Sequence, residues 1–485
     1  MRLNFKLIAS ILGLLAAFNG GFMLLCLPFS LYFKDDTFNA LLLSSAISLV
    51  AGVTIFYLYK QPRETQLRKR EGYVIVTTGW LTMSLTGTLP YILSGSIPSF
   101  TNAFFETLSG YSTTGASILT DIESLDKGIL LWRSLTQWIG GMGIIVLTVA
   151  IIPMLGIGGM QLFMAEAPGI TPDKLKPRIA DTAKRLWLIY IGLTGLEAVL
   201  LMLGDMGFYD AINHALTTMA TGGFSTKNAS VAHFTSPYIH YVIIIFMFLA
   251  GTNFTLTYFG LHGQLKKVWE NEEFRNYLLN TLGFSLFVGV IVYFVADESM
   301  EESFRNALFQ VVSIITTTGY VTADFTSWTP FVLVIFFMLM FVGGSAGSTA
   351  GGVKVVRHIV LLKNSLLELR RQMHPHAVIP VRLNNKAIDK DITSNVLAFL
   401  IIYFMVFSTG SIIVAAFDID FLTSIGAVAT CLGNIGPGIG SVGPVDNFAH
   451  LPAGSKWFLT FLMLLGRLEL FTVLILFTPS FWRQN

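Results

Sequence analysis

The chain has 485 residues, of which 53% are hydrophobic and only 12% are charged, and its formal net charge is +2. A soluble protein carries roughly 25% charged residues, so the composition excludes a soluble domain and predicts a protein that crosses the membrane many times. The two cysteines, Cys26 and Cys431, lie in apolar surroundings, which excludes a disulfide framework and a zinc motif. We find no organic-cofactor motif and no acid–base pair, and we expect no nucleic-acid partner.

Apolar segments long enough to cross a bilayer recur along the chain. They lie at 7–32, 38–59, 73–95, 128–155, 183–204, 237–262, 276–296, 329–363, 395–417 and 454–479. We interpret the first as a retained helix, because it lacks the cleavage site of a signal peptide. The first two segments form a leading pair, and the others are predicted to group into repeats.

Shorter apolar segments lie between the later spans, and 304–320 is the clearest example. This segment ends in Thr-Thr-Gly and is too short to span, so we expect it to enter the membrane and return. Similar segments occur at 102–115, 210–222 and 421–433. Four copies predict a pseudo-four-fold ring around one pore. The alternative is a set of glycine-rich turns between ordinary helices.

The predicted organisation is all-helical, with two leading helices and four repeats of helix, re-entrant segment and helix. Its boundaries are 1–71 for the leading pair, 72–180 for the first repeat, 181–272 for the second, 273–390 for the third and 391–485 for the fourth.

The loop charges predict an orientation. Basic residues occupy the connections between repeats and the C-terminus: Lys60, Arg63, Arg68, Lys69, Arg70, Lys174, Lys176, Arg178, Lys184, Arg185, Lys266, Lys267, Arg275, Arg357, Lys363, Arg370, Arg371, Arg382, Lys386, Lys390 and Arg483. Acidic residues occupy the re-entrant connections: Asp121, Glu123, Asp126, Asp297, Glu298, Glu301 and Glu302. By the positive-inside rule both termini are cytoplasmic, and all re-entrant segments enter from outside.

The re-entrant segments have the chemistry of a cation filter. A helix C-terminus carries a partial negative charge, and extended backbone after it presents carbonyl oxygens that replace an ion's hydration shell. The predicted filter residues are Thr113, Thr114, Gly115, Ala220, Thr221, Gly222, Thr317, Thr318, Gly319, Cys431, Leu432, Gly433 and Asn434. The fourth strip lacks the threonine pattern, so we expect the ring to be only pseudo-symmetric.

A glycine-rich stretch interrupts the long span 329–363. It comprises Gly343, Gly344, Ser345, Ala346, Gly347, Ser348, Thr349, Ala350, Gly351 and Gly352, and Lys354 follows it. So many glycines break a helix, which predicts an intramembrane loop below the filter that obstructs or clears the pore. Close helix packing through Gly343 and Gly347 is the alternative.

Two charges fall inside the last span, at Arg467 and Glu469. Intramembrane charges usually face a cavity, so Arg467 is a candidate barrier below the filter. A structural pair of Arg467 with Glu106 or Glu197 is the alternative. Asn253 is predicted at a similar depth. It either forms hydrogen bonds between packed helices or faces the cavity.

Two other functions compete with a pore. An intramembrane hydrolase would use the Gly-x-Ser-x-Gly pattern around Ser345 with His214 or His358 as base. A proton- or sodium-coupled secondary transporter would show inverted repeats, whereas the repeats here run in one sense.

Several motifs resemble those of the TrkH/KtrB family of bacterial potassium transporters. They lie at 109–117, 218–226, 315–320 and 343–357, and the two leading helices favour the TrkH branch. The resemblance covers essentially the whole chain.

This resemblance implies a potassium channel-like fold in the bacterial inner membrane, and potassium as the bound and conducted ion. It places the filter glycines at Gly115, Gly222, Gly319 and Gly433, the gating loop at 343–352 and a barrier at Arg467. It also implies a homodimer and a cytoplasmic TrkA-type ring of nucleotide-binding regulatory subunits, with symport as an open possibility.

Overall fold

The computed structural model describes residues 3–62, 67–154, 179–374 and 379–483. Four residues of the predicted basic loops, namely Arg63, Lys174, Lys176 and Arg178, lie outside these ranges. The described chain is almost entirely helical. The predicted all-helical, polytopic architecture is confirmed.

The two leading spans form a tight helix pair. They comprise α1 (Phe5–Met23), a 3-10 turn (Leu24–Cys26), α2 (Leu27–Phe33) and α3 (Phe38–Leu58). A Cβ added to Gly52 of α3 would lie 2.4 Å from the backbone nitrogen of Ala17 in α1. Glycine therefore permits a backbone contact between these helices that no other residue allows.

The segments predicted as the first and second repeats follow. The first comprises α4 (Lys69–Gly87), α5 (Leu89–Leu93), α6 (Phe100–Tyr111) and α7 (Lys127–Met154). The second comprises α8 (Ile179–Leu203), α9 (Phe208–Met219), a 3-10 turn (Ser230–His233), α10 (Pro237–Ala250), α11 (Phe254–Leu261) and α12 (Leu265–Glu270).

The segments predicted as the third and fourth repeats complete the chain. The third comprises α13 (Glu272–Val295), α14 (Met300–Ile315), α15 (Pro330–Leu339), α16 (Val355–Met373) and the hairpin β1 (Arg382–Leu383) and β2 (Lys386–Ala387). The fourth comprises α17 (Lys390–Ala415), α18 (Phe421–Gly433), a 3-10 turn (Gly440–Val442), α19 (Ala453–Arg467), α20 (Phe471–Leu474), a 3-10 turn (Ile475–Phe477) and α21 (Pro479–Trp482).

Within the described ranges, five helices are long and apolar enough to cross a membrane, or seven if each of two bent pairs counts as one span. Large apolar side chains on these helices are open to the surroundings, including Leu203, Phe294 and Ile412. Such an exposed apolar surface is suited to lipid, which agrees with the predicted bilayer environment.

The last helix of every repeat is broken, not only that of the third repeat. The α10–α11 and α19–α20 pairs each bend by 112°, and Gly143 interrupts α7 with a φ of 64°. The predicted spans 128–155, 237–262 and 454–479 are therefore broken helices, and hydropathy alone did not indicate these breaks. A polar or glycine-containing stretch stands at each break, where the helical hydrogen bonds stop.

Candidate ion pathway

The four short helices α6, α9, α14 and α18, here called the central helices, end in the same way. Within two residues of each helix end, a residue other than glycine adopts the left-handed backbone conformation. These are Thr113, Thr221, Thr317 and Asn434, with φ of 54°, 55°, 56° and 54°. Strained backbone of this kind persists only where the surrounding structure enforces it, so its recurrence marks four equivalent positions.

A hydrogen bond across each helix end enforces this turn. The amide of the residue after the left-handed one donates to a carbonyl five residues back. The four pairs are Thr114 to Ser109 at 2.9 Å, Gly222 to Thr217 at 2.9 Å, Thr318 to Ser313 at 2.8 Å and Ile435 to Thr430 at 3.0 Å. These bonds satisfy helix-terminal carbonyls and turn the chain into an extended strip.

In every strip, a glycine with positive φ lies two residues after the left-handed residue. The positions of these glycines correct the predicted register of two strips. These glycines are Gly115, Gly223, Gly319 and Gly436, with φ of 80°, 74°, 79° and 107°. The equivalent of Gly115 is therefore Gly223 and not Gly222 in the second repeat. In the fourth repeat it is Gly436 and not Gly433, which is the last residue of α18. The equivalent strips are 113–115, 221–223, 317–319 and 434–436.

Neighbouring strips touch at these glycines. A Cβ added to Gly115 would lie 2.3 Å from the carbonyl oxygen of Gly222 in the second strip. A Cβ added to Gly223 would lie 1.9 Å from the carbonyl oxygen of Thr318 in the third strip. Each glycine therefore leaves room for a backbone carbonyl of the next repeat.

The contacts continue around the ring and close it. A Cβ on Gly319 would lie 2.0 Å from the carbonyl oxygen of Ile435, and one on Gly436 would lie 2.9 Å from that of Thr114. The order is first, second, third, fourth and first again. The structure thus brings all four predicted segments together at one place, where four negative helix ends meet backbone carbonyls.

Buried side chains behind the strips hold them, and the motif search missed these residues. The Gln137 amide donates to the carbonyl of Gly222 at 2.6 Å and accepts from the amide of Phe224 at 3.0 Å. The Glu106 carboxylate pairs with Arg133 at 2.7 Å and accepts from the amide of Ile118 at 2.9 Å. The only sequence signal for these supporting side chains was that they are polar residues inside apolar spans.

The loops beyond the strips are joined by hydrogen bonds between the first two repeats. The Asn228 amide donates to Asp121 at 2.9 Å, and its backbone amide donates to Glu123 at 3.1 Å. The hydrogen bond from Asn228 holds the pKa of Asp121 below its ordinary value.

The glycine-rich loop 343–352 lies against the end of the strips that adjoins the central helices. The Gly351 amide donates to the Thr317 hydroxyl at 2.6 Å, and a Cβ on Gly351 would lie 2.6 Å from the carbonyl oxygen of Gly433. The Thr349 hydroxyl donates to the carbonyl of Met219 at 3.0 Å. The loop therefore contacts the ends of three central helices or their strips.

Arg467 lies beside this loop at the break of the last helix. Its guanidinium donates to the carbonyl of Thr349 at 2.8 Å and to that of Gly141 at 2.9 Å, and it also contacts the carbonyl of Gly140. Of its two suggested carboxylate partners, Glu106 is instead paired with Arg133. Arg467 therefore ties three broken helices together through backbone oxygens.

Other charges flank the loop. The Lys354 ammonium donates to the carbonyl of Ala350, and Arg357 forms an ion pair with Glu469. Glu469 and Leu470 both have positive φ, so the break of the fourth repeat is strained. The ion pair connects that strained break to α16.

The contact that a hydrolase would need is not formed among the described residues. His214 contacts Ser225 and the carbonyl of Asp210, and His358 contacts the carbonyl of Phe341. The buried Ser345 hydroxyl has no hydrogen-bond partner there. The geometry thus gives no support for Ser345 as a nucleophile activated by either histidine.

These features define a helical membrane protein in which four repeated strips meet around one axis above an intramembrane loop. A model of the TrkH family, described as cation transport protein, matches residues 39–484. The chain belongs to the TrkH family.

Named relatives align over nearly the whole chain. The Trk system potassium uptake protein TrkH of Salmonella typhimurium is 41% identical and that of Escherichia coli K12 is 40% identical, each alignment covering 99% of this chain and 100% of the relative. The crystal structure of the potassium transporter TrkH from Vibrio parahaemolyticus is 37% identical with a TM-score of 0.89, covering 99% of this chain and 100% of the other.

Proposed function

We propose that this chain is the ion-translocating subunit of potassium uptake across the bacterial inner membrane and works as a channel. The observation that carries the proposal is the closed ring of contacts among Gly115, Gly223, Gly319 and Gly436. Four backbone strips at one axis supply the uncharged oxygen ligands that a dehydrated potassium ion requires. The names of the relatives as potassium uptake proteins support the same ion.

Selectivity in this proposal comes from carbonyl and hydroxyl oxygens of the strips. The filter comprises 113–115, 221–223, 317–319 and 434–436, with the negative ends of the central helices adding attraction for a cation. The fourth strip contributes Asn434 and Ile435 where the first has threonines. Unlike ligands at one position of the ring predict weaker discrimination than in a symmetric filter.

The glycine-rich loop and Arg467 form the gate in this proposal. The loop lies directly against the inner end of the filter, and the Arg467 guanidinium places a positive charge beside it. A fixed positive charge on the pathway opposes the passage of a cation. Opening requires that the loop leave the Thr317 hydroxyl and that Arg467 release the carbonyl of Thr349.

Partners and orientation belong to the same proposal. Cytoplasmic termini are supported by the basic loops, and a cytoplasmic TrkA-type regulatory ring by the relatives' designation as members of a Trk system. A homodimer is proposed from the family resemblance. The repeat boundaries at 72–180, 181–272, 273–390 and 391–485 are proposed with them.

Ion flux into proteoliposomes that contain this chain alone tests the function. We expect potassium and rubidium to pass faster than sodium and lithium, and Gly115→Ser to lose that preference because its side chain would meet the carbonyl of Gly222. Flux that requires an imposed proton or sodium gradient would instead support the coupled-transporter alternative. The inward and outward rates under a potassium gradient alone decide between them.

A further inference from the structure

One residue of the glycine-rich loop, Ala346, is held through both its amide and its carbonyl. The amide of Ala346 donates to Glu273 Oε1 at 2.7 Å, and the carbonyl of Ala346 accepts from Asn253 Nδ2 at 2.6 Å. The two side chains come from different elements: Glu273 is the second residue of α13, and Asn253 lies in the break between α10 and α11. No other residue of the loop has side chains from two repeats bonded to its own amide and carbonyl among the described contacts.

The orientation of Asn253 is fixed by a second bond. Its Oδ1 accepts from the amide of Thr255 at 2.8 Å, where it caps α11, so Nδ2 must face Ala346. The next amide, that of Phe254, donates to the carbonyl of Gly347 at 3.1 Å. The broken helix of the second repeat is therefore a rigid seat for the loop.

Glu273 is also held, and it is close to the cytoplasmic elements. It is 7% exposed, in the first turn of α13. The adjacent Glu272 pairs with Lys363 of α16 and exchanges hydrogen bonds with Asn384 between β1 and β2, the shorter at 2.7 Å. A shift of the hairpin or of α16 would therefore act on the turn that carries Glu273.

We propose that Asn253 and Glu273 form a latch that keeps the glycine-rich loop against the filter until it is released from the cytoplasmic side. Both are positioning residues, since they hold the loop and do not line the ion path. The proposal rests on the gate proposed above. Each bond satisfies one backbone group of Ala346, which loses its side-chain partner when Asn253 or Glu273 is replaced.

Three substitutions separate the bonds. Asn253→Asp keeps the oxygen that caps α11 but removes the donor and opposes a carboxylate to the carbonyl of Ala346. Glu273→Ala removes the acceptor, whereas Glu273→Gln retains one. Glu270→Ala is the matched control, because Glu270 is 63% exposed on the same side and pairs only with Lys266 among the described residues.

Two readouts are measured in a Ser348→Cys background in inside-out vesicles and proteoliposomes. The first is the modification rate of the introduced thiol by a membrane-impermeant reagent, which reports whether the loop has left its seat. Both native cysteines are buried and give a low background. The second is potassium flux through the chain alone. Monodisperse elution in detergent confirms folding of each variant.

We expect Asn253→Asp and Glu273→Ala to raise both rates about tenfold, as the loss of one hydrogen bond to the loop predicts. Glu273→Gln and Glu270→Ala should stay within about twofold of the parent. Unchanged modification in both latch variants overturns the latch, whatever the flux. Faster modification with unchanged flux retains the latch and overturns the proposed gate.

Discussion

At the scale of single residues, the pathway depends on backbone conformations that most side chains resist. The left-handed Thr113, Thr221, Thr317 and Asn434 turn each chain from helix to strip. Glycine follows two residues later because the neighbouring carbonyl occupies the space of a Cβ. The glycine is thus required because a side chain would not fit there. The residue that starts the strip must instead tolerate the left-handed conformation.

The corrected register makes a prediction that distinguishes two glycines of the fourth repeat. Gly436 has a φ of 107°, and its Cβ would lie 2.9 Å from the carbonyl oxygen of Thr114. Gly433 is helical, and its Cβ would first meet the movable Ile435 side chain at 2.9 Å. We expect Gly436→Ala to lower the potassium-to-sodium flux ratio about tenfold, as roughly 1–2 kcal/mol of strain implies.

Gly433→Ala is the matched comparison for this prediction. We expect it to change the flux ratio by less than about threefold, because the neighbouring side chain can move. A larger loss in Gly433→Ala than in Gly436→Ala would restore the register expected from sequence spacing alone.

At the scale of elements, the breaks in the helices place the loop that we propose as the gate. Their breaks allow backbone from four repeats to approach the central helices. The carbonyl oxygen of Tyr111 would lie 1.8 Å from a Cβ on Gly140, and that of Leu432 would lie 2.1 Å from a Cβ on Gly466. Arg467 then satisfies carbonyls freed by the breaks, which unbroken helices would have bonded internally.

The leading pair offers a test that is independent of the pore. Gly52→Ala would place a Cβ 2.4 Å from the Ala17 backbone, which forces α1 and α3 apart, whereas a Cβ on Gly21 would meet nothing within 4 Å. We expect Gly52→Ala to cost about 1–3 kcal/mol and to lower the thermal unfolding midpoint by several degrees. Gly21→Ala should leave the midpoint unchanged or higher, since alanine favours helix.

Potassium selectivity is the second readout for these variants. Both should keep the flux ratio of the parent, because neither residue contacts a strip. A midpoint for Gly52→Ala equal to that for Gly21→Ala would contradict the close packing of α1 on α3.

At the scale of the whole molecule, composition and repetition were enough to predict the helical architecture and the four central segments. The Thr-Thr-Gly of 113–115 also located its strip, because the same residues mark the turn and the glycine. The register of the fourth strip could not be predicted from sequence. Gly433 has the spacing of the other filter glycines along the chain, whereas Gly436 has their positive φ. Breaks at Gly251 to Asn253 and at Leu468 to Leu470 were missed because hydropathy averages over a few polar residues.

The orientation of the molecule yields the remaining prediction. Ser124 lies in the exposed loop after the first strip, and Lys386 lies in the exposed hairpin after α16. The positive-inside rule places them on opposite sides of the membrane. We expect an impermeant thiol reagent to label Ser124→Cys in intact spheroplasts, and Lys386→Cys only after the membrane is opened. Because the native Cys26 and Cys431 are buried, the parent chain is the control.

Labelling of Lys386→Cys in intact spheroplasts would show that the predicted orientation is wrong and that the glycine-rich loop lies on the outer side of the filter. A cytoplasmic regulator would then have no contact with the hairpin and α16, so this result would also remove the route by which the latch is released.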